Sequence, residues 1–184
     1  MTTISNRNSP GGKEGSGIRS GRESTSAQFR TGRQSVVGDW QIIIKLGDSR
    51  SKKLHRYGTA YEALTVQGEK VFFGAISSNA RTSTRALLEA MLEAVLTAKG
   101  QGFQQILVLS NSRSLLQTYK YNTASDWLDS TRLTDLWFLN QNGVSCDVFW
   151  VPTVVVKDLR VVACLATRVP MHFCWFPSIG SYLL

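Results

Sequence analysis

Ser110, Asn111 and Ser112 are the residues best placed for chemistry. They close the run Gly102-Phe103-Gln104-Gln105-Ile106-Leu107-Val108-Leu109, which is too short and too apolar to be anything but a buried strand. A helix follows over 113–121, with Leu115, Leu116 and Tyr119 at helical spacing, and the strongest helical pattern of the chain, 82–99, precedes the strand. Helix, buried parallel strand and helix make a crossover unit of an α/β sheet. Ligands meet such sheets beyond the carboxyl ends of the strands, which is where this polar triplet stands. The simplest structural role for Asn111 is to cap the helix that follows, a role asparagine and aspartate share.

Other chemistries find fewer residues. Cys146, Cys164 and Cys174, with His55 and His172, supply no credible set of four tetrahedral zinc ligands, although His172 and Cys174 stand two apart. The odd number and wide spacing of the cysteines point to reduced thiols and an intracellular protein of the nucleus or cytoplasm. No apolar run approaches membrane-spanning length.

The elements that must position the triplet can be read in order. Trp40 to Leu46 is a first strand, and Gly47 to Lys53 a polar, strongly basic loop. Arg56 to Val66 and Lys70 to Ile76 follow across short connections, giving an antiparallel meander. The long helix aligns Leu87, Leu88, Met91, Leu92, Val95 and Leu96 in one stripe, with Glu89 and Glu93 on a solvated side. Further on, a helix over 130–140 ends at Asn142-Gly143, Cys146 to Val151 is a fifth strand stopped by Pro152, and a last helix spans 156–168. The order is βββαβααβα: a five-stranded mixed sheet, three antiparallel strands then two parallel ones, with helices on both faces.

Composition divides the chain. Residues 1–38 are rich in Ser, Gly and Arg and carry too few large apolar side chains to offset the entropy of ordering, so they read as a disordered basic tail. That tail has no apolar signal-peptide core; its Arg and Ser content leaves an organelle transit segment open. Residues 39–169 form the domain, and 170–184 an apolar, aromatic tail able to dock on a partner or on the domain itself. A net charge of +8 favours polyanionic partners, nucleic acid first among them.

The strand order together with Trp40…Gly47, Ala86…Ala90…Ala94…Ala98…Gly102-Phe103, Val108-Leu109-Ser110-Asn111-Ser112 and Trp150-Val151-Pro152…Leu165-Ala166 resembles the plant-type ribonuclease H-like domains, over residues 39 to 169. The resemblance implies a ribonuclease H fold. It also implies carboxylates that hold two Mg²⁺ ions and hydrolyse the RNA strand of an RNA–DNA hybrid. Aligned on these motifs, the family's acids fall on Leu46, Leu87, Asn111 and either Ala163 or Arg160. Shifted registers offer Asp48, Glu89 and Asp158 instead, with Asp48 and Glu89 as the metal ligands and Asn111 still neutral. An amide in place of a bridging carboxylate removes a unit of negative charge where two dications must approach, which costs several kcal/mol at an effective dielectric of about 20.

Three functions follow from the resemblance. The first is a ribonuclease H-like, nucleic-acid-binding domain of weak or absent catalysis, meeting RNA–DNA hybrid or RNA through Arg50, Lys52, Lys53 and Arg56, a basic loop that is otherwise a solvated hairpin tip. The second is an active Mg²⁺-dependent hybrid ribonuclease using Asp48 and Glu89, with Asp158 as a further candidate. The third is a protein-interaction scaffold whose partner meets the C-terminal tail.

Overall fold

Alternation along the first strand sets the architecture. In β1 (Ile42–Ser51) the side chains of Ile42, Ile44 and Leu46 are fully buried on one face, and Gly47 opposes a helix on the other. The computed structural model describes residues 39–124 and 126–177. The expected disordered tail, 1–38, lies outside the described residues, as does the end of the aromatic tail, 178–184.

The element order is β1, β2 (Arg56–Thr65), β3 (Lys70–Ser78), α1 (Ser83–Gly100), β4 (Gln105–Ser110), α2 (Arg113–Tyr121), α3 (Trp127–Gln141), β5 (Ser145–Trp150), a 3-10 turn (Thr153–Val156), α4 (Lys157–Ala166) and β6 (His172–Trp175). The strands lie side by side as β5-β4-β1-β2-β3-β6. β1 pairs parallel with β4, as does β4 with β5, and the remaining neighbours are antiparallel. This is the expected mixed α/β sheet with helices on both faces, but it has six strands where the sequence suggests five.

The sixth strand comes from the segment expected to trail beyond the domain. His172 to Trp175 pairs with the edge of β3 in the register Ile76↔His172 and Phe73↔Trp175. Phe173 packs on Phe73 with ring centroids 5.9 Å apart, and Phe176 packs on Phe72 at 6.2 Å. A four-residue strand between prolines shows no periodicity of its own; the open backbone of β3 and the aromatic pairs supply what the sequence pattern lacks.

The basic loop is also shorter than expected. Gly47 to Ser51 continues β1, paired with Arg56 to Ala60 of β2, so the turn is only Lys52 to His55, closed by His55 at φ 47°. Helix α3 begins at Trp127 rather than Ser130 because Asp126 caps it, accepting from the backbone N–H groups of Leu128 and Asp129 at 3.0 and 3.1 Å. The Arg85 guanidinium joins α1 to this cap through ion pairs with Asp126 and Asp129.

Two apolar layers sandwich the sheet. On one face α1 buries Leu87, Leu88, Met91 and Val95 against Ile42, Ile44, Leu46, Tyr61 and Phe72, with α2 and α3 adding Leu115, Leu133 and Leu136. On the other, α4 packs Leu159, Ala163 and Ala166 on Ala60 and Ala75. That second layer needs Gly58: a Cβ there would lie 1.9 Å from the Ala163 carbonyl oxygen.

Candidate nucleic-acid interface

The parallel β1–β4 pairing ends where Leu46, midway along β1, lies opposite Ser110, the last residue of β4. Leu46 and Leu87 are fully buried in the α1-side core. Beyond Ser110, Ser112 rather than Asn111 caps α2: its hydroxyl accepts from the Leu115 N–H at 3.2 Å. Asn111 is tied instead toward β5 and the turn after it. Its Nδ2 donates to Thr153 Oγ1 at 3.2 Å, and its backbone carbonyl accepts from Trp150 Nε1 at 3.2 Å. Among the described residues its Oδ1 is buried without a hydrogen-bond partner. Arg113 lies over the exposed Trp150 ring, 5.1 Å from the centroid.

The carboxylates of Asp48, Glu89 and Glu93 each have protein partners of their own. Asp48 Oδ2 accepts from Ser83 Oγ at 2.6 Å, at the start of α1. Glu89, on the expected solvated side of α1, is only about one quarter exposed: Ser78 Oγ donates to one oxygen at 2.5 Å and the Arg132 guanidinium of α3 pairs with the other. Glu93 accepts from Tyr61 Oη at 2.6 Å and meets His172 Nε2 from β6. Burial, with Glu93 beside the phenol, raises the Tyr61 pKa above the usual tyrosine value. Asp158 lines a separate groove with Glu62, Lys70 and Trp175 on the α4 face of the sheet, across from Asp48 and Glu89. Among the described residues no three His, Cys, Asp or Glu side chains are grouped to hold a metal ion.

The cations divide between faces. Ser49 and Ser51 share the Gly47 side of β1, facing α4, while Arg50 shares the side of Asp48 and lies over the Tyr57 ring at 5.4 Å. Arg56, two residues from Gly58, is on the α4 side; Lys52 and Lys53 stand exposed at the turn. On α4 itself Lys157, Arg160, Val161, Cys164 and Leu165, with Arg168 in the turn after it, line an open groove of about 440 Å³ with Ser49 and Thr153. The Arg160 Nε donates to the Asp48 backbone carbonyl at 3.4 Å. Inner-face apolar spacing drew attention to α4 from the sequence; the signal for this groove was the outer spacing of Lys157, Arg160, Cys164 and Arg168, which also repeats at helical intervals.

No family model matches the sequence, and no curated protein matches it. Solved structures do match the backbone. A ribonuclease H1 from Halobacterium salinarum superposes with a TM-score of 0.58 at 12% identity, covering 69% of this chain and 96% of its own. The chain has a ribonuclease H-like fold. The N-terminal ribonuclease H domain of a Mycobacterium tuberculosis protein gives 0.61 at 12% identity, over 69% of this chain and 93% of that one. The ribonuclease H1 LC11, isolated from compost and solved in complex with an RNA/DNA hybrid, gives 0.60 at 13% identity, over 70% and 99%. The ribonuclease H-like fold makes Leu46, Ser110 and Asn111 neighbours through the β1–β4 pairing, and it is this pairing that decides which side chains share the site.

Proposed function

We propose that this ribonuclease H-like domain binds nucleic acid, an RNA–DNA hybrid or RNA, without two-metal hydrolysis. The observation that carries the reading is Leu46 buried opposite Ser110, with the neighbouring Asn111 side chain committed to Thr153. Where the resemblance implies paired carboxylates, the end of the β1–β4 pairing presents a leucine and an amide.

Mg²⁺ is a hard cation that takes charged oxygen donors in a near-octahedral shell, and the donors here do not fit it. Asp48 is hydrogen-bonded by Ser83, Glu89 is neutralised by Arg132, and Asp158 lies on the other face of the sheet. The unpartnered Asn111 Oδ1 offers one neutral oxygen, too little charge to bring a dication out of water. What remains suits a polyanion: Lys52 and Lys53 at the turn, Arg56 beside them, and Arg50 and Arg113 stacked on Tyr57 and Trp150. The hybrid seen with LC11 is the partner class this reading carries over.

Titration of the full chain with labelled hybrid, single-stranded RNA and duplex RNA in EDTA, at low and moderate salt, tests the proposal. Salt-sensitive affinity that does not depend on Mg²⁺ supports it. Absence of affinity for all three at low salt overturns it.

A further inference from the structure

We infer that the outer stripe of α4 and the turn that follows it, built from Lys157, Arg160 and Arg168 around Ser49 and Thr153, is a phosphate-binding track for one nucleic-acid strand. The inference rests on the nucleic-acid reading above and assigns it a surface distinct from the basic turn.

Helix geometry makes the track. Leu159, Ala163 and Ala166 turn inward onto Ala60 and Ala75, which leaves positions 157, 160, 161, 164 and 165 in one outward stripe that Arg168, in the turn after the helix, continues. The close approach of α4 at Gly47 and Gly58 seats that stripe beside the β1–β2 hairpin, so Ser49 of β1 and Thr153 of the 3-10 turn complete the groove. From Lys157 to Leu165 the helical part of the stripe runs about 12 Å at 1.5 Å per residue, and Arg168 extends it from the turn after the helix. The helical part alone matches about three to four steps of a duplex strand at 3.4 Å each.

The charge is free to act. Among the described residues, none of the three cations is in an ion pair with an acid. The one carboxylate of α4, Asp158, turns to the groove of Glu62 and Lys70 instead. Arg160 uses Nε on the Asp48 carbonyl, which anchors the side chain and leaves its two terminal nitrogens for a planar, two-point grip on phosphate. The Ser49 and Thr153 hydroxyls are further donors to phosphate oxygens. Val161 and Leu165, both more than half exposed, offer apolar surface for sugars between the charges. Arg160 is also one of the two positions to which the family's last acid maps. A fixed cation there takes hold of phosphate directly, without a metal between protein and backbone.

Cys164 gives the track a native reporter. It is exposed in the middle of the stripe, while Cys146 is buried and serves as an internal reference. Two measurements on the full chain decide the matter. In the first, a labelled RNA–DNA hybrid is titrated over a salt series against wild type, Arg160→Gln and the triple variant Lys157→Gln/Arg160→Gln/Arg168→Gln. Each phosphate that is no longer neutralised should lower the salt slope by about 0.9, so the triple variant should drop by two to three units and bind about tenfold or more weakly. In the second, maleimide alkylation of Cys164 in wild type is followed by mass spectrometry with and without hybrid. Bound hybrid should slow it severalfold, a result that needs no variant to fold. An unchanged slope in the triple variant, with Cys164 alkylated at the free rate under saturating hybrid, overturns the track while leaving nucleic-acid binding to the turn. If wild type binds no hybrid at low salt, the track and the broader reading fail together.

Discussion

The Glu89 carboxylate of α1 is paired with the Arg132 guanidinium of α3 and accepts a second hydrogen bond from Ser78 at the end of β3. Both of its oxygens are therefore engaged in joining three elements. A carboxylate used in this way fastens α3 to the sheet-covering helix; releasing it for a metal would leave Arg132 half-buried and uncompensated.

Arg132→Met should accordingly cost about 1–3 kcal/mol of stability, with Glu89→Gln costing less because it keeps the Ser78 bond. Urea unfolding of the two single variants and the double variant gives a coupling energy, expected at about 1 kcal/mol. Coupling indistinguishable from zero would mean that Glu89 is free for other work.

Leu46 tests the end of the β1–β4 pairing. Its side chain is fully buried against α1, so Leu46→Asp places an unpaired carboxylate in the core and should destabilise by about 3–5 kcal/mol. Leu46→Met, nearly volume-conserving, should cost under about 1.5 kcal/mol. Added Mg²⁺ should not restore Leu46→Asp. Thermal unfolding in EDTA and in Mg²⁺ checks this, and a large metal-dependent recovery would show that the second and third carboxylates are within reach.

Alkaline pH should weaken the fold through Cys146 and two tyrosines. Burial pushes the Cys146 thiol up to about 12, with the nearby Asp147 adding to the rise and the neighbouring Tyr119 hydroxyl opposing it. Tyr61 and Tyr119 are raised above the usual tyrosine value by burial, Tyr119 with its hydroxyl donating to the Cys146 carbonyl at 2.6 Å. As pH rises past about 9, the unfolded thiol releases its proton while the folded one keeps it, so the unfolded state gains. Stability is complete below that point and falls by about 1.4 kcal/mol per pH unit for each such group, the tyrosines joining near pH 10. Urea unfolding at about pH 8 and about pH 10.5 should show a loss of roughly 2 kcal/mol or more, reduced in Cys146→Ala. A flat profile would contradict the burial of these groups.

The sixth strand makes a further prediction. Truncation after Pro170 removes the pairing to β3 and the packing of Phe173 and Phe176 on Phe73 and Phe72, and strips Glu93 of His172. The truncated chain should melt several degrees lower and self-associate through the bared β3 edge. Size-exclusion chromatography and thermal melting read both effects; an unchanged monomer with an unchanged midpoint would show that β6 adds nothing.

How much of this was legible in the sequence follows from where the information resides. The buried run before Ser110 and the leucine stripe of α1 are local patterns, and both elements stand where those patterns put them, although Leu96 at the edge of the stripe is exposed. β6 is too short for a pattern, and its cause is the distant edge of β3. Gly47 to Ser51 reads as a polar loop because its side chains lie half in water; pairing with β2 makes it strand. The start of α3 escaped because Trp127 is exposed and breaks the apolar spacing, while Asp126 supplies the cap. At the candidate interface, sequence picks out Asp48, Glu89 and Asp158 by their charge and by shifted registers of the resemblance. It does not reveal that Arg132 claims Glu89 or that the sheet separates Asp158 from Asp48, since both are consequences of tertiary packing.

Binding and hydrolysis are separated in a single incubation of the full chain with end-labelled RNA–DNA hybrid, in Mg²⁺, in Mn²⁺ and in EDTA, reading bound fraction and RNA-strand cleavage together. A domain that binds without two-metal hydrolysis gives the same bound fraction in all three and no cleavage above a buffer control. Metal-dependent cleavage of the RNA strand that disappears in Asp48→Asn would overturn that reading.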